Sequence, residues 1–256
     1  MTRDSRLDKI RRSLLLGPQS VESLASGLGI SPSTVRRDLA LLEKAGGVIR
    51  THGGAVIRPE GESSLAERES VAAAAKLAIG RLAAELVAEG SRVLLGAGTT
   101  VEAVARMLAT TKDLTVFTDS LPVMGILGPR PNIDLYAVGG RFRHLSASFF
   151  GPAAEKFVSA ITVDHVFVSG DAIDAQRGVS ERSAEQASLK AAMMRAGGSV
   201  YVVADGSKAG APSPAGWWTA PPTGWTLVTD TSATDAALEP FRHAGPTQIL
   251  IAGRRA

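Results

Sequence analysis

The chain has 256 residues, of which 45% are hydrophobic and 21% are charged, so it is too apolar for a disordered protein and long enough for two unequal domains. It contains no cysteine, which excludes disulfides, cysteine-bound zinc and a thiol nucleophile, and it has no run near the roughly 20 apolar residues that span a bilayer. The net charge is +3, but residues 1–60 hold ten Lys or Arg against six Asp or Glu, which gives this segment a charge of +4 and leaves −1 for the rest of the chain. This uneven distribution favours a small anion-binding module at the N-terminus.

Two helices are predicted before residue 30. The charged N-terminus flanks only a short apolar run, so no signal peptide is expected there. Apolar residues recur at helical spacing over residues 6–16, and again from Val21 to Leu28, where Gly27 and Gly29 allow the second helix to end. The inward residues of the first helix are Leu7, Ile10, Leu14 and Leu15, and those of the second are Val21, Leu24, Ala25 and Leu28.

A third helix follows a short turn. Ser31 is a good N-cap, Pro32 suits the first helical position, and Gly46 with Gly47 ends the helix. Its apolar residues face inward, while its outer face and flanks carry Ser33, Thr34, Arg36 and Arg37. Two helices joined by a turn, with hydroxyls and arginines on the second, match the geometry that reads the major groove of DNA. The alternative is a solvated helix face.

A basic hairpin is predicted directly after this helix. The segment VIRTHGGAVI contains two short strands around a glycine turn, with Arg50 and His52 on or beside the first strand. Beside a recognition helix, such a wing would place both residues along the DNA backbone or in the minor groove.

The segment SPSTVRRDLALLEKAGGVIRTHGGAV resembles the winged helix-turn-helix signature of the DeoR-type bacterial transcriptional regulators. The matching positions are Ser33, Thr34, Arg36, Arg37, Asp38, Leu39, Leu42, Arg50, His52, Gly53, Gly54 and Ala55. The resemblance implies that double-stranded operator DNA is a partner, and that the DNA-binding residues are Ser33, Thr34, Arg36, Arg37, Arg50 and His52.

The domain boundary is predicted near residue 60. Pro59 and Gly61 indicate a hinge, and the charged and alanine-rich stretch after them indicates a connecting helix, whose pattern continues from Lys76 towards Gly90. We expect a winged helix-turn-helix domain over residues 1–58, a linker over 59–75 and a larger α/β domain over 76–256.

The larger domain is predicted to be a mostly parallel α/β fold. Helical stretches, among them residues 101–108 and 184–196, fall between seven short strand-like runs: RVLL, LTVFTD, IDLYAV, VDHVFV, SVYVVA, TLVTD and TQILIA. In such sheets, ligands bind at the carboxyl ends of the strands.

Polar or glycine-rich turns follow five of these strands. The first is GAGTT at residues 96–100, where glycines and a helix N-terminus would suit a phosphate, although such turns also occur without ligands. The others are TDS at 118–120, GGRFR at 139–143, SGDAID at 169–174 and VADGSKAG at 203–210. Glu185 and Lys190 fall in one helix but five residues apart, so a solvated helix face is the alternative for this pair.

This part also resembles the DeoR-type family, whose sensor domain is similar to the sugar-phosphate isomerase and CoA-transferase fold class; the resemblance covers residues 64–252 and thins after Gly210. It implies a phosphate-binding turn at Gly98, Thr99 and Thr100, and further effector contacts at Arg141, Asp171, Glu185, Lys190, Asp205 and Lys208. The turns at the strand ends add Ser120, Gly139 and Gly140 as predicted effector contacts. Three positions depart from the family pattern: Gly96 stands where Asp is usual, Asp119 where Asn is usual, and Ala172 where Gly is usual. The Trp- and Pro-rich segment 211–225 is also unlike the usual continuation. We expect a surface loop that partly covers the core there, and the alternatives are a lid or a packing edge formed by Trp217 and Trp218.

Taken together, these patterns predict a cytoplasmic transcriptional regulator, a repressor of sugar-metabolism genes that a phosphorylated sugar releases. A homo-oligomer, dimer or tetramer, is implied because one weakly basic module binds DNA poorly. No cofactor or membrane contact is expected, and no metal, since His52, His144, His165 and His243 lack paired ligand spacing. Two alternatives remain: an isomerase-like enzyme using Asp171, Glu185 and Lys190, or a DNA-binding protein whose larger domain only oligomerises.

Overall fold

The computed structural model describes residues 3–58, 62–213, 216–222, 224–244, 246 and 248–253. The chain divides into two compact units, Met1–Arg68 and Glu69–Ala256. Each has its own hydrophobic core, as expected of a domain. The predicted hinge residues Pro59 and Gly61 lie outside the described residues.

The smaller unit combines three helices with a three-stranded antiparallel sheet. Its elements are α1 (Arg3–Leu15), β1 (Gln19–Ser20), α2 (Val21–Leu28), α3 (Pro32–Lys44), β2 (Val48–Thr51) and β3 (Gly54–Ile57). Strand β3 lies between β1 and β2, so that Gly54 faces both Ser20 and Thr51. The three predicted helices and the two predicted wing strands are confirmed, and β1 is an additional short strand.

The helix ends of this unit follow from local chemistry. The Ser20 hydroxyl accepts a hydrogen bond from the Ser23 N–H at the start of α2, and the Ser31 hydroxyl does the same for Thr34 at the start of α3. Helix α2 ends at Gly29, whose φ of 65° lies in the left-handed region. All the predicted inward residues are buried or half-buried except Leu15, which is 71% exposed because it lies at the end of α1.

The linker contains two helices rather than one continuous helix. These are α4 (Leu65–Ser70) and α5 (Ala73–Ala84), and Ala72 between them has a φ of 52°. Its left-handed backbone breaks the helical hydrogen-bond pattern.

A seven-stranded, fully parallel sheet forms the centre of the larger unit. Its strands, which correspond to the seven predicted runs, are β4 (Arg92–Leu95), β5 (Leu114–Thr118), β6 (Ile133–Ala137), β9 (Val163–Val168), β12 (Gly197–Val203), β14 (Thr226–Asp230) and β15 (Gln248–Ala252). Their order across the sheet is β15-β14-β12-β9-β4-β5-β6, and every neighbouring pair is parallel. The predicted α/β class is therefore confirmed.

Helices cover both faces of this sheet. They are α6 (Thr99–Leu108), α7 (Leu121–Leu127), α8 (Pro152–Ser159), α9 (Ala184–Ala196) and α10 (Asp235–His243), together with α5. Residues of α5, α6 and α7 share one hydrophobic cluster with Val93 and Leu95, whereas residues of α8, α9 and α10 share another with Leu94. Alternate residues of β4 thus point to opposite faces, as strand geometry requires.

Two small antiparallel sheets lie outside the central sheet. One pairs β7 (Arg141–Arg143) with β8 (Ser148–Phe150). The other has the order β10-β11-β13 and comprises β10 (Ile173–Asp174), β11 (Gly178–Glu181) and β13 (Trp217–Thr219). A short 3-10 helix, Gly206–Lys208, follows β12.

The Trp- and Pro-rich segment is not only a surface loop. Trp217 and Trp218 lie in β13, where they face Glu181 and Ser180 of β11, and Trp225 is buried. The surface-loop expectation therefore fails for Trp217–Thr219, which form an edge strand on β11, because strand pairing satisfies this part of the backbone. Among the described residues, no helix is long and apolar enough to cross a membrane.

Candidate functional site

Helix α3 has one buried face and one exposed basic face. Val35, Leu39 and Leu42 are buried, whereas Ser33, Arg36, Arg37 and Lys44 are exposed and Thr34 is half-buried. Arg36 lies 3.6 Å from Glu22 of α2 in an exposed ion pair, and Arg37 forms no ion pair with any residue of the described part of the chain. The outer face of α3 therefore presents cationic and hydroxyl groups to solvent.

The N-terminus of α3 is tied together by three hydroxyls. The Ser31 Oγ lies 2.8 Å from the hydroxyls of both Ser33 and Thr34, in addition to capping the helix. This network fixes the first turn of the helix, where a recognition helix meets base edges or phosphates.

A buried ion pair fixes α3 against α1. Asp38, which is 1% exposed, accepts hydrogen bonds from both the Nε and the NH2 group of Arg6, the latter at 2.9 Å. The hydrogen bond to Asp38 raises the pKa of the Arg6 guanidinium. Asp38 therefore holds α3 in place and does not belong to the exposed face of the helix. Its position in the sequence, directly after the exposed Arg36 and Arg37, gives no sign of this role.

The wing is a tight hairpin beside the end of α3. Its turn is His52 and Gly53, and Gly53 has a φ of 87°, which favours glycine. Arg50 and His52 are exposed, and the Arg50 N–H donates to the Glu43 carboxylate of α3 at 3.3 Å. A Cβ on Gly54 would lie 2.1 Å from the Gln19 carbonyl oxygen, so the close approach of β1 requires glycine there.

In the larger unit, polar groups converge where β4, β5 and β9 end. The Thr118 hydroxyl donates to the Leu95 carbonyl at 2.7 Å and accepts from the Ser120 N–H at 3.1 Å. A Cβ on Gly98 would lie 3.3 Å from the Ser169 Cβ, so the turns after β4 and β9 lie side by side. The predicted turns at Gly98, Ser120 and Asp171 therefore share one edge of the sheet.

The turn after β4 leads directly into α6. Gly98 has a φ of 140° and provides no side-chain cap, Thr99 is half-buried, and Thr100 is buried. At Gly96, an added Cβ would make only ordinary contacts, 3.5 Å from its nearest neighbours. Local packing therefore does not require glycine at this position.

Lys190 and Glu181 form a buried ion pair at the same edge. The Lys190 Nζ, on α9, donates to the Ser169 carbonyl and to the Glu181 carboxylate of β11. Both residues are less than 10% exposed, so the solvated-helix alternative is wrong for Lys190, whereas Glu185 is exposed. Burial raises the pKa of Glu181, and the charge of Lys190 opposes this shift.

Four further charged residues surround this pair. Asp171 forms an ion pair with Arg182, the Lys208 Nζ donates to the Asp171 carbonyl at 3.1 Å, and the charge of Arg143 acts on Glu181. We define the polar cluster as Asp119, Asp171, Glu181, Lys190 and Lys208.

Asp119 is buried in the polar cluster and has an unsatisfied oxygen. It is 6% exposed, and its Oδ1 has no hydrogen-bond partner within the described residues. The pKa of Asp119 is raised to about 7, chiefly by burial. The charge of Lys190 and the N–H groups of Asp119 itself and of Ala97 act to lower it, and the charge of Glu181 acts to raise it.

Several predicted effector residues lie outside the polar cluster and stabilise local structure. The Ser120 hydroxyl caps α7, and the Asp205 carboxylate caps the 3-10 helix by accepting from the Ser207 N–H at 3.2 Å. Gly139 and Gly140 are exposed, and a Cβ on Gly140 would lie 2.6 Å from the Phe150 carbonyl oxygen. Gly140, which precedes β7, thus allows the chain to pass close to the end of β8.

Arg141 and Glu185 form an exposed ion pair with each other. The Arg141 guanidinium lies 4.5 Å from the centroid of the Phe150 ring. Among the described contacts, none joins this pair to Lys190.

Sequence reasoning missed Glu181 and Arg182 as neighbours of the predicted site. The segment VSERS marks both only as charged residues next to a strand. Their burial follows from the pairing of β11 with β10 and β13, which is not visible in the local pattern.

Two family models match the chain. Residues 14–60 match the DeoR-like helix-turn-helix domain, and residues 71–230 match the DeoR C terminal sensor domain. These ranges contain the exposed face of α3 with the wing, and the polar cluster, respectively.

Proteins with curated names resemble this chain over most of their own length. A putative aga operon transcriptional repressor of Escherichia coli O157:H7 is 34% identical over 81% of this chain and 78% of its own. The lactose phosphotransferase system repressor of Lactococcus lactis subsp. lactis is 34% identical over 68% of this chain and 70% of its own.

Among solved structures, a ribose 5-phosphate isomerase from Methanocaldococcus jannaschii has 16% identity and a TM-score of 0.39 over 52% of each chain, which is too distant to support an argument. The two family matches and the sequence relatives lead to one conclusion: the chain belongs to the DeoR family of transcriptional regulators.

Proposed function

We propose that this protein is a repressor of sugar-metabolism genes, which binds operator DNA through its smaller unit and is released when a phosphorylated sugar binds its larger unit. The observation that carries the proposal is the exposed basic face of α3, with Arg36 and Arg37 next to a wing that presents Arg50 and His52. Family membership and the names of the relatives support the repressor role and its link to sugars.

In this proposal, α3 enters the major groove. Arg37 reads a base edge, because its guanidinium is exposed and has no competing ion pair within the described residues. Arg36, Ser33 and Thr34 contact phosphates or bases at the start of the helix, and Arg50 and His52 contact the backbone. Because one such module binds DNA weakly, the working form is a dimer or tetramer in the cytoplasm.

Selection of bound fragments from the chromosome of the source organism, followed by fluorescence anisotropy, tests the DNA-binding part. Arg37→Ala should weaken operator binding roughly 5- to 150-fold and relax the preference at one base position. Arg12→Ala removes the same charge from an exposed position on α1 and should leave sequence preference unchanged. Equal operator affinity of the Arg37 variant and the parent would refute this placement of α3.

The effector part of the proposal is supported by the cationic groups at the edge of the sheet. The turn formed by Gly98, Thr99 and Thr100 opens α6, whose N-terminus favours an anion. Lys190 and Lys208 lie at the same edge through their contacts with Ser169 and Asp171. We propose that the phosphate binds between this turn and these lysines.

The hydroxyls of the sugar would then reach the remaining predicted residues. Ser120, Asp171 and Asp205 offer oxygen atoms, while Gly139 and Gly140 allow close approach of the backbone, and Arg141 with Glu185 would line the rim. In this role the polar cluster binds a ligand and catalyses nothing, and the ligand acts by stabilising a state with low affinity for DNA.

A thermal-shift screen of phosphorylated sugars against their unphosphorylated parents tests this part. Only phosphorylated compounds should raise the melting temperature, and Lys190→Ala should abolish the shift while the exposed Lys156→Ala should keep it. Lys190→Ala leaves the buried Glu181 carboxylate without its cation, which destabilises the larger unit. The double variant Lys190→Met, Glu181→Gln removes both charges and therefore serves as a second test. A shift that persists in both Lys190 variants would exclude the polar cluster as the effector site.

A further inference from the structure

Asp119 combines deep burial with an incomplete set of hydrogen bonds. The N–H groups of Ala97 and of Asp119 itself interact with the carboxylate, yet Oδ1 has no partner within the described residues. An unsatisfied buried carboxylate oxygen costs stability, and a ligand group that donates a hydrogen bond to it would remove this cost.

The charge of Asp119 is also incompletely balanced. Lys190 is its cationic neighbour, but the Lys190 Nζ donates to Ser169 and Glu181, so its charge is shared with a second carboxylate. A phosphate placed nearby adds further negative charge. A ligand that presents only hydroxyls supplies a hydrogen-bond donor to Oδ1 but no positive charge to stabilise the buried carboxylate.

An ammonium group supplies both missing elements. It donates a hydrogen bond to Oδ1, and its positive charge stabilises the ionised form of the buried Asp119 carboxylate. We propose that Asp119 selects the effector by binding the ammonium group of an amino-sugar phosphate, an inference that rests on the proposed effector site. Asp119 is thus a specificity residue, separate from the groups that bind the phosphate.

Isothermal titration calorimetry of the full chain tests this inference. The probes are the 6-phosphates of glucosamine and galactosamine, compared with those of glucose and galactose. In the parent protein, one amino compound should bind at least about tenfold more tightly than its hydroxyl counterpart. In Asp119→Asn the ratio should fall to about one, because the neutral amide no longer attracts the charge of the ammonium group.

Asp235→Asn is the matched control. It removes the same charge from an exposed carboxylate on α10, and it should retain the preference for the amino compound. Tryptophan fluorescence verifies that each variant is folded, since Trp217, Trp218 and Trp225 all lie in the larger unit.

The possible outcomes separate this inference from the proposed function. Equal binding of amino and hydroxyl compounds, or a preference that persists in Asp119→Asn, would overturn the inference and leave the sugar-phosphate site in place. Failure of all four phosphates to bind would overturn the inference alone, whereas failure of every phosphorylated sugar in the wider thermal-shift screen would overturn the effector part of the proposed function. Binding of Mg²⁺ that Asp119→Asn abolishes, without any preference for amino compounds, would assign Oδ1 to a cation instead.

Discussion

Replacement of Asp119 by Asn should remove a pH-dependent penalty from the stability of the larger unit. In the folded protein the pKa of Asp119 is about 7, whereas the ordinary pKa of an Asp carboxyl is 3.8. Between these values the folded state binds more protons than the unfolded state, so stability falls as pH rises, and it levels off above pH 7. The neutral amide has no such dependence.

The size of the effect follows from the shift of about 3 pKa units, which corresponds to roughly 4 kcal/mol as an upper limit. The stability advantage of Asp119→Asn over the parent should therefore grow by about 2–3 kcal/mol between about pH 5 and pH 8. When the free energy of unfolding of the parent is subtracted from that of the variant, the contributions of the other groups that titrate in this range cancel. The exceptions are Lys190 and Glu181, whose charges act directly on Asp119.

Urea unfolding followed by tryptophan fluorescence measures this difference, because all three tryptophans belong to the larger unit. The free energies of unfolding of the parent and of Asp119→Asn are compared at each pH. A stability difference that stays constant from pH 5 to pH 8 would refute the conclusion that Asp119 is a buried carboxyl with a raised pKa.

Three other predictions concern the remaining buried contacts. Lys190→Met should destabilise the larger unit by about 3–5 kcal/mol in urea unfolding, because the buried Glu181 carboxylate loses its cation. Adding Glu181→Gln should recover most of this loss, and a double variant as unstable as Lys190→Met would show that the ion pair is not the cause. Arg6→Ala should lower the melting temperature of the smaller unit by circular dichroism, since Asp38 stays buried without its partner, and an unchanged melting temperature would show that the pair contributes nothing. Gly54→Ala should separate β1 from β3 and speed hydrogen exchange at Gln19 and Ser20, whereas unchanged exchange would mean that the sheet tolerates a Cβ there.

The regular elements could be predicted because their signals are local. Each strand of the central sheet is a short apolar run bounded by turn residues, and α3 begins with Ser31 and Pro32, which are both typical of helix starts. By contrast, Ala72 lies in an alanine-rich stretch that favours helix, so nothing local predicts its left-handed backbone.

Buried charges could not be predicted, because their partners are distant in sequence. Asp38 pairs with Arg6, which lies 32 residues before it, and a charged residue on a helix is more often solvated. Lys190 is buried because β11 brings Glu181 to the end of the sheet, and β11 is itself held by β13. Only tertiary pairing reveals which charges are buried.

Release of operator DNA by an effector tests the central claim most directly. Fluorescence anisotropy of a labelled operator would be measured while the phosphorylated sugar found in the screen is added to the parent and to the Lys190→Met, Glu181→Gln double variant. The parent should dissociate from the DNA at concentrations that saturate the effector site, and the double variant should stay bound throughout. Retention of the parent on DNA at saturating sugar phosphate, or release of the double variant at the same concentrations, would contradict the account.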